Sequence, residues 1–480
     1  MHDTLLLTEI IRKRRQGFSD DAKLALITFI EKYFNASVTV DANYIPYGRT
    51  DLIPLFSIAQ QLIEAKLIKN YRPITGYHDE PLQYHWAVTC GTHDNQRAGG
   101  MSIDSDYDAF IAALAEAVER YLWFEDTSYF KKPMYASINE MQKKSISFIS
   151  PDQITGVSKE QREKYGRLSF APDSKFTWTL GQSWTTGKQL YLPAQLVNSC
   201  RDKKLAREPI LLMPITTGLA TWPTREGAVL AGALEVIERD AYMILWLNQL
   251  KLPRLNLLDL AHTSPKLQRL LELCKKYQLE PSAIRMVTDA PTYAICASLK
   301  DTHEHVPAFT VGLKAHNSLS TAVEGALLEA LRIRQTIRNR QSRTGKQSVK
   351  RDGSKLNHLE RLDYWAEPQQ VSNMYFLSGT DSSEPNPSEN WEADSESDHL
   401  RRIVNWARNN NYELCSVSVG STKRNVSPWN IEMVVMPDLQ PMHQNERVPY
   451  VTGKRLSAVP EKFGYQSLPT PFTAYPHPFA

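Results

Sequence analysis

The chain has 480 residues, 42% hydrophobic and 10% aromatic, which is too long for one core and too apolar for a mainly disordered protein. Its 56 Lys and Arg against 53 Asp and Glu leave a formal charge of +3, which argues against bulk nucleic acid or an anionic membrane as a partner.

The start, Met1-His2-Asp3-Thr4 followed by a short apolar run and Arg12-Lys13-Arg14-Arg15, has the wrong order for a signal peptide. No stretch of about 18 uncharged apolar residues occurs. The cysteines (Cys90, Cys200, Cys274, Cys296, Cys415) are scattered, without a CxxC pair, so neither a disulfide framework nor a zinc site is expected. These features predict a cytoplasmic protein.

Residues 1–85 show helical apolar spacing at Leu24–Ile30 and again at Leu55–Ile63, with a strand-like Ser37-Val38-Thr39-Val40 between them. They are expected to form a small accessory α+β module. A larger mixed section over 86–345 and a C-terminal section over 346–480 follow. Residues 331–355 carry nine Lys/Arg and one acid, and 381–398 carry seven Asp/Glu and no Lys/Arg. Both read as solvated loops, the basic one with a second reading as a dock for phosphates or an acidic peptide. Phe176–Thr179 and Leu190–Leu192 flank Thr186-Gly187-Lys188 as a hairpin would. Gly181 to Gly187-Lys188 is not a P-loop, because it has one residue too many and Gln189 stands where Ser or Thr must bind magnesium.

The informative pattern is internal. Ala115-Glu116-Ala117-Val118-Glu119-Arg120 lies in one helical stretch, and Leu234-Glu235-Val236-Ile237-Glu238-Arg239 in another. A third, Leu328-Glu329-Ala330-Leu331-Arg332, keeps the first Glu and has Arg in place of the second. Ser105, Thr224 and Ser320 precede them as expected N-caps. Carboxylates at i and i+3 share one helix side. In the second helix that side is apolar (Leu230, Leu234, Ile237, Ala241), so each charge would incur a desolvation cost of several kcal/mol unless paired or metal-bound. Hard oxygen ligands in this number suit Mg²⁺ or Ca²⁺ rather than zinc; the open positions that Mg²⁺ keeps for phosphate oxygens, with Arg120 and Arg239 as adjacent phosphate donors, make a nucleotide the natural ligand. Local salt bridges from each Glu to its neighbouring Arg are the alternative.

Beyond these helices, Ala98-Gly99-Gly100-Met101-Ser102, Leu192-Pro193-Ala194, Gly218-Leu219-Ala220 and Gly312…Ala315-His316 complete an ordered set of landmarks. With them the chain resembles the YcaO family of ATP-dependent enzymes that modify peptide backbone amides, over about residues 88–340 and the last dozen. The resemblance implies a mixed α/β (α+β) fold with sheets backed by Glu-bearing helices. It implies Mg²⁺ held by Glu116, Glu119, Glu235 and Glu238. It further implies ATP contacted by Ser102, Arg120, Arg239 and Arg334. The end, Tyr475-Pro476-His477-Pro478-Phe479-Ala480, is similar to the Pro-x-Pro-x-Pro tail of azoline-forming cyclodehydratases, with Ala480 in place of the last proline. Pro476, Pro478 and Ala480 are therefore expected at the catalytic centre, with His477 or His316 as a proton carrier. The implied partners are a precursor peptide, a leader-binding protein of ThiF-like type and a flavin dehydrogenase, with a homodimer as the expected assembly and no nucleic acid or membrane.

The chain departs from the family pattern at Gly100 (a lysine in the family), Ala112 (a serine), Pro223 and Gly227 (an asparagine and a glutamate) and Arg332 (a glutamine). Glu226 and Arg332 are the expected substitutes. A thioamide- or amidine-forming enzyme and a non-catalytic scaffold subunit are the alternative readings.

Overall fold

The computed structural model describes residues 52–74, 77–82, 84–91, 97–125, 132–197, 207–213, 215–344, 356, 358–381, 389–419, 429–469, 473 and 475–479. The expected elements at 24–40 and Ala480 lie outside these residues. Mixed α/β architecture is observed, as expected.

In chain order the first elements are α1 (Ile53–Glu64), β1 (Ile68–Pro73), β2 (Tyr84–Cys90), β3 (Arg97–Ser102), α2 (Asp106–Glu125), β4 (Met134–Ser137), α3 (Ile138–Lys143) and α4 (Lys159–Lys164). Then come β5 (Lys175–Ser183), β6 (Gln189–Pro193), β7 (Leu219–Trp222), α5 (Arg225–Asn248), α6 (Leu257–Ala261), α7 (Pro265–Lys276), β8 (Leu279–Arg285), β9 (Tyr293–Asp301) and β10 (Phe309–His316). The chain continues with α8 (Leu319–Thr344), α9 (His358–Ala366), α10 (Glu396–Asn409), β11 (Cys415–Ser418), β12 (Asn430–Val435) and α11 (Arg455–Lys462). Three antiparallel sheets result, in the orders β1-β2-β3, β10-β9-β8 and β4-β5-β11-β12-β7, with β6 paired to β5 as the expected hairpin. Among the described residues, no helix is long and apolar enough to cross a membrane.

The expected boundary at 85 falls inside the first sheet. β1 pairs with β2 from Ile68↔Cys90 to Pro73↔Trp86. Leu55, Leu62 and Leu67, all fully buried, share one core with Val88, Phe110 and Leu114. Residues 52–73 thus share the sheet and the core of the residues that follow them. The C-terminal section is equally integral, since β11 and β12 sit between β5 and β7.

Three units repeat one construction, a strand that turns into a long helix: β3–α2, β7–α5 and β10–α8. Ser105 and Thr224 cap their helices as expected, accepting from the backbone N–H of Asp108 (3.1 Å) and Gly227 (3.1 Å). The third cap is Ser318 rather than Ser320. Helix α8 starts at Leu319, so Ser320 falls in its first turn, with its hydroxyl 3.1 Å from that of Ser318.

Strand and helix approach closely because small residues face each other. A Cβ on Gly100 would lie 1.8 Å from the Ala109 carbonyl, and one on Gly312 would lie 2.2 Å from that of Ala326. Helix α5 runs through the middle, fully buried from Ala241 to Trp246. Its Asp240 accepts from Arg455 Nε (2.9 Å) and Nη2 (2.8 Å), and Asp289 accepts from the same guanidinium (2.9 Å), which ties α11 to α5.

Substituting Gly312→Val should therefore force α8 off its strand. The expected loss is about 2–3 kcal/mol in urea unfolding. An unchanged midpoint would refute the close-approach account.

Candidate active site

The glutamates are held by backbone amides in a staggered pattern. The first Glu of each helix accepts from the strand of its own unit: Glu116 Oε2 from Gly99 N–H (3.2 Å), Glu235 Oε2 from Gly218 N–H (3.1 Å) and Glu329 Oε2 from Leu313 N–H (2.5 Å). The second Glu reaches the strand of the next unit. Glu119 Oε2 accepts from the Thr221 hydroxyl on β7 (2.7 Å), and Glu238 Oε2 from Ala315 N–H on β10 (2.7 Å). The third unit has no successor to reach, and there Arg332 replaces the second Glu.

All five carboxylates line one cleft of about 770 Å³, with Arg239, Lys314, Arg332, His316 and His399 also on its walls. Arg239 Nη1 lies 2.5 Å from Glu238 Oε1, and Arg239 Nη2 lies 3.6 Å from Glu235 Oε1; Arg120 Nη2 lies 2.6 Å from Glu116 Oε1. The local ion pairs weighed from the sequence are thus present, but they leave the acids in excess.

Burial is the main cause that pushes Glu119 up to about 8 and Glu235 up to about 7, with the charges of neighbouring glutamates adding to it. Glu329 is raised by burial as well, with Arg239 opposing. These edges face the cleft rather than open solvent; the Glu235 side chain keeps 29% of its surface accessible. Carboxyls that must hold protons at neutral pH fit a divalent cation, whose charge would replace those protons. Among the described residues, the groups with three ligand atoms within 4.8 Å lie elsewhere, at Asp301/His303/His305 and His443/Glu446/His477. The cleft glutamates ring a space instead, which suits ions completed by phosphate oxygens.

Several expected residues stand apart. Arg334 is buried against Glu80 (Nε–Oε1 2.9 Å) and Asp301 (Nη2–Oδ2 2.8 Å), away from the cleft. It lies five residues beyond Glu329, a rotation of about 140° around the helix, whereas Arg332 lies only about 60° away. Glu226, nine residues before Glu235, is about 180° around α5 and accepts from the Ser397 hydroxyl on α10 instead. Ser102 builds the turn into α2, its Oγ accepting from the N–H of Asp104 (2.9 Å) and Ser105 (3.3 Å). Glu329 and Lys314, absent from the expected ligand sets, do line the cleft. The retained first Glu of the third helix was the available signal for Glu329; Lys314 carried none.

The proline tail is buried from Pro476 to Phe479. The Pro476 carbonyl accepts from Trp365 Nε1 (2.9 Å), and the Phe479 ring lies 4.2 Å beneath the Arg239 guanidinium. Pro478 is buried between them. His477 is fully buried and donates Nε2–H to the His443 carbonyl (2.7 Å), with Arg361 against its ring. Burial, with Arg361 and His443 beside it, holds His477 well below its ordinary range. It is a neutral anchor of the tail, not a proton carrier. His316 does line the cleft; burial, then Lys314 and His399, lower it to about 4.

A family model described as YcaO cyclodehydratase, ATP- and Mg²⁺-binding, matches residues 104–438. The fold is similar to a heterocyclase solved in complex with substrate and cofactor (TM-score 0.71, 18% identity, 88% of this chain and 57% of that one). It is also similar to the heterocyclase TruD (0.58, 19%, 77% and 50%). A third similar structure is YcaO from Methanopyrus kandleri bound with AMPPCP and Mg²⁺ (0.57, 17%, 84% and 95%). The chain spans little more than half the length of the first two. No curated protein matches its sequence.

The raised carboxyls make ion binding and stability depend on pH. Without a cation, the folded chain holds protons that the unfolded chain releases above about 4.5, so these groups favour folding at low pH and cease to do so as pH rises through 7 to 8. Melting with EDTA should fall from pH 6 to 8.5, and Mg²⁺ should raise the midpoint more at pH 8.5 than at pH 6. An equal Mg²⁺ shift at both pH values would contradict the carboxylate assignment.

Proposed function

Because the chain belongs to the YcaO family, we propose that it is an ATP-dependent cyclodehydratase acting on a ribosomally made precursor peptide. It converts Cys, Ser or Thr into thiazoline or oxazoline by phosphorylating the preceding backbone amide oxygen, so that the oxygen leaves as phosphate. The observation that carries this reading is the convergence of Glu116, Glu119, Glu235, Glu238 and Glu329 on one cleft, with Arg239 stacked on Phe479 of the tail.

Magnesium bound by these glutamates would neutralise the triphosphate and polarise it for transfer. Amides of Gly99, Gly218, Leu313 and Ala315 and the Thr221 hydroxyl fix one oxygen of each glutamate, while Arg120 and Arg239 meet the other oxygen of Glu116 and Glu238. Lys314 and Arg332 supply the mobile cationic donors for phosphate, in place of the family lysine missing at Gly100. Gly100 has no room for a side chain, since Ala109 and Ala113 press against it. Arg239, gripped by Glu235, Glu238 and Phe479, is a rigid positive group at the phosphate end. The tail's fixed φ angles and buried carbonyl contacts keep that arginine from swinging away. A leader-capturing partner of ThiF-like type, a flavin dehydrogenase and a cytoplasmic setting belong to the same proposal.

One observation favours the alternative of a non-catalytic scaffold. At Gly227, where the family has a glutamate, a Cβ would strike the Trp222 ring at 1.9 Å, so that ligand position is filled by packing. Calorimetric titration with Mg-ATP separates the two readings, because a scaffold gives no nucleotide heat.

Glu238→Gln keeps the shape and the acceptor for Ala315 N–H but loses the charge. Peptide-dependent phosphate release should drop at least about a hundredfold, with circular dichroism and melting close to the parent. Full turnover would end the metal-ligand assignment.

A further inference from the structure

The hairpin between β9 and β10 turns through Asp301-Thr302-His303-Glu304-His305. Glu304, with a φ of 57°, makes the turn tight, and Asp301 Oδ1 accepts from the backbone N–H groups of His303 (2.9 Å) and His305 (3.3 Å). The two exposed imidazoles stand side by side, 5.6 Å between ring centroids and 18° apart in plane. His305 Nδ1 lies 3.6 Å from Asp301 Oδ1. Around a tetrahedral zinc ion with bonds of about 2 Å, neighbouring ligand atoms are separated by about 3.3 Å, so this pair is close to a chelating span. His303 brings a third ligand atom, and all three lie within 4.8 Å of one another.

The surroundings of the turn suit a cation. The Thr302 hydroxyl gives its hydrogen to the Gln278 carbonyl (3.0 Å), so toward His303 Nδ1 (3.2 Å) it can only accept. A neutral His303 therefore carries its proton on Nδ1 and keeps an open lone pair on Nε2, the state that an acceptor behind the ring fixes in a metal-ligating histidine. Behind the turn, Arg334 and Arg338 pair with Asp79, Glu80 and Asp301. Three acids against two arginines leave one negative charge beside the imidazoles. The cluster of His443, Glu446 and His477 is different, because Arg361 Nη1 lies 3.0 Å from Glu446 Oε1 and against the His477 ring, so a cation already stands there.

We propose that Asp301, His303 and His305 bind one divalent ion of the zinc type. Two imidazoles and a carboxylate select such an ion over Mg²⁺, which prefers oxygen ligands, and water completes the tetrahedron. Strand β10 runs from this turn to Ala315, whose N–H holds Glu238, so at about 3.3 Å per residue some ~20 Å separates the ion from the acidic cleft. Its role is structural: it clasps the turn around Asp301, which in turn holds Arg334 and, through it, Glu80. Nothing in this site depends on cyclodehydratase activity. Cysteine spacing could not announce it, since none of the three ligands is a cysteine.

The test takes the untagged full chain, stripped with EDTA and desalted, through equilibrium dialysis against Zn²⁺, with excess Mg²⁺ present to occupy the carboxylate cleft. The parent should hold one equivalent of zinc more than the double variant His303→Gln/His305→Gln, whose circular dichroism without zinc should match the parent. Zinc should raise the melting midpoint of the parent and leave that of the double variant where it was. Thr302→Val, which keeps all three ligands, should weaken binding about tenfold. Zinc should also shield His303 and His305 of the parent from diethyl pyrocarbonate, mapped by mass spectrometry, a readout that needs no variant. Equal zinc uptake by parent and double variant, or carbethoxylation of both histidines at an unchanged rate with zinc bound, overturns the site.

Discussion

The fold is organised around one electrostatic problem, the crowding of five carboxylates around a single cleft. Arg120 and Arg239, the arginines paired directly with them, do not balance that charge. Backbone amides do part of the work, since each first Glu takes an N–H from its own strand and Glu238 takes one from the next strand. These contacts orient the side chains without neutralising them. The remaining charge is met by protons, which is why burial lifts Glu119 and Glu235 toward neutrality. A site in that state is poised to exchange protons for a divalent cation.

Arg239 is the second organising element. It touches Glu235 and Glu238 on one side and the Phe479 ring on the other. The tail is secured far below its tip, where Trp365 holds the Pro476 carbonyl and Arg361, His443 and Glu446 surround His477. These contacts tie the tail to α9 and to the loop after β12. The position of one guanidinium thus depends on residues from α5, α9, the loop after β12 and the last turn of the chain.

Much of this was legible from residue order alone. The Glu-x-x-Glu-Arg spacing on apolar helices identified four of the five clustered carboxylates, and the hairpin about Gly187 was plain from its β-branched and aromatic flanks. Arg334 was expected from the family resemblance and Glu226 as a substitute one position from the family's glutamate, and helical phase defeats both: each faces away from the glutamates on its helix. Lys314 was invisible because an exposed residue in a buried strand has no local mark of function. The boundary at 85 failed for another reason, since a strand's partner is a tertiary fact that residues 68–73 do not announce. His477 looked reactive because histidine often is, and only the surrounding shell reveals that it is sealed.

The staggering of the glutamates also bears on how the protein is made. Glu119 finds its partner on β7, Glu238 finds its partner on β10, and β7 is held in its sheet by β12. Each contact joins segments dozens to hundreds of residues apart, so the second glutamates are seated only after long loops have closed, unlike the first, which are held within their own units. The complete set of glutamate contacts therefore forms only once distant strands have docked, the strand at 430–435 among them. A copy cut ahead of that strand would leave β7 without its neighbour and Glu119 without a fixed partner.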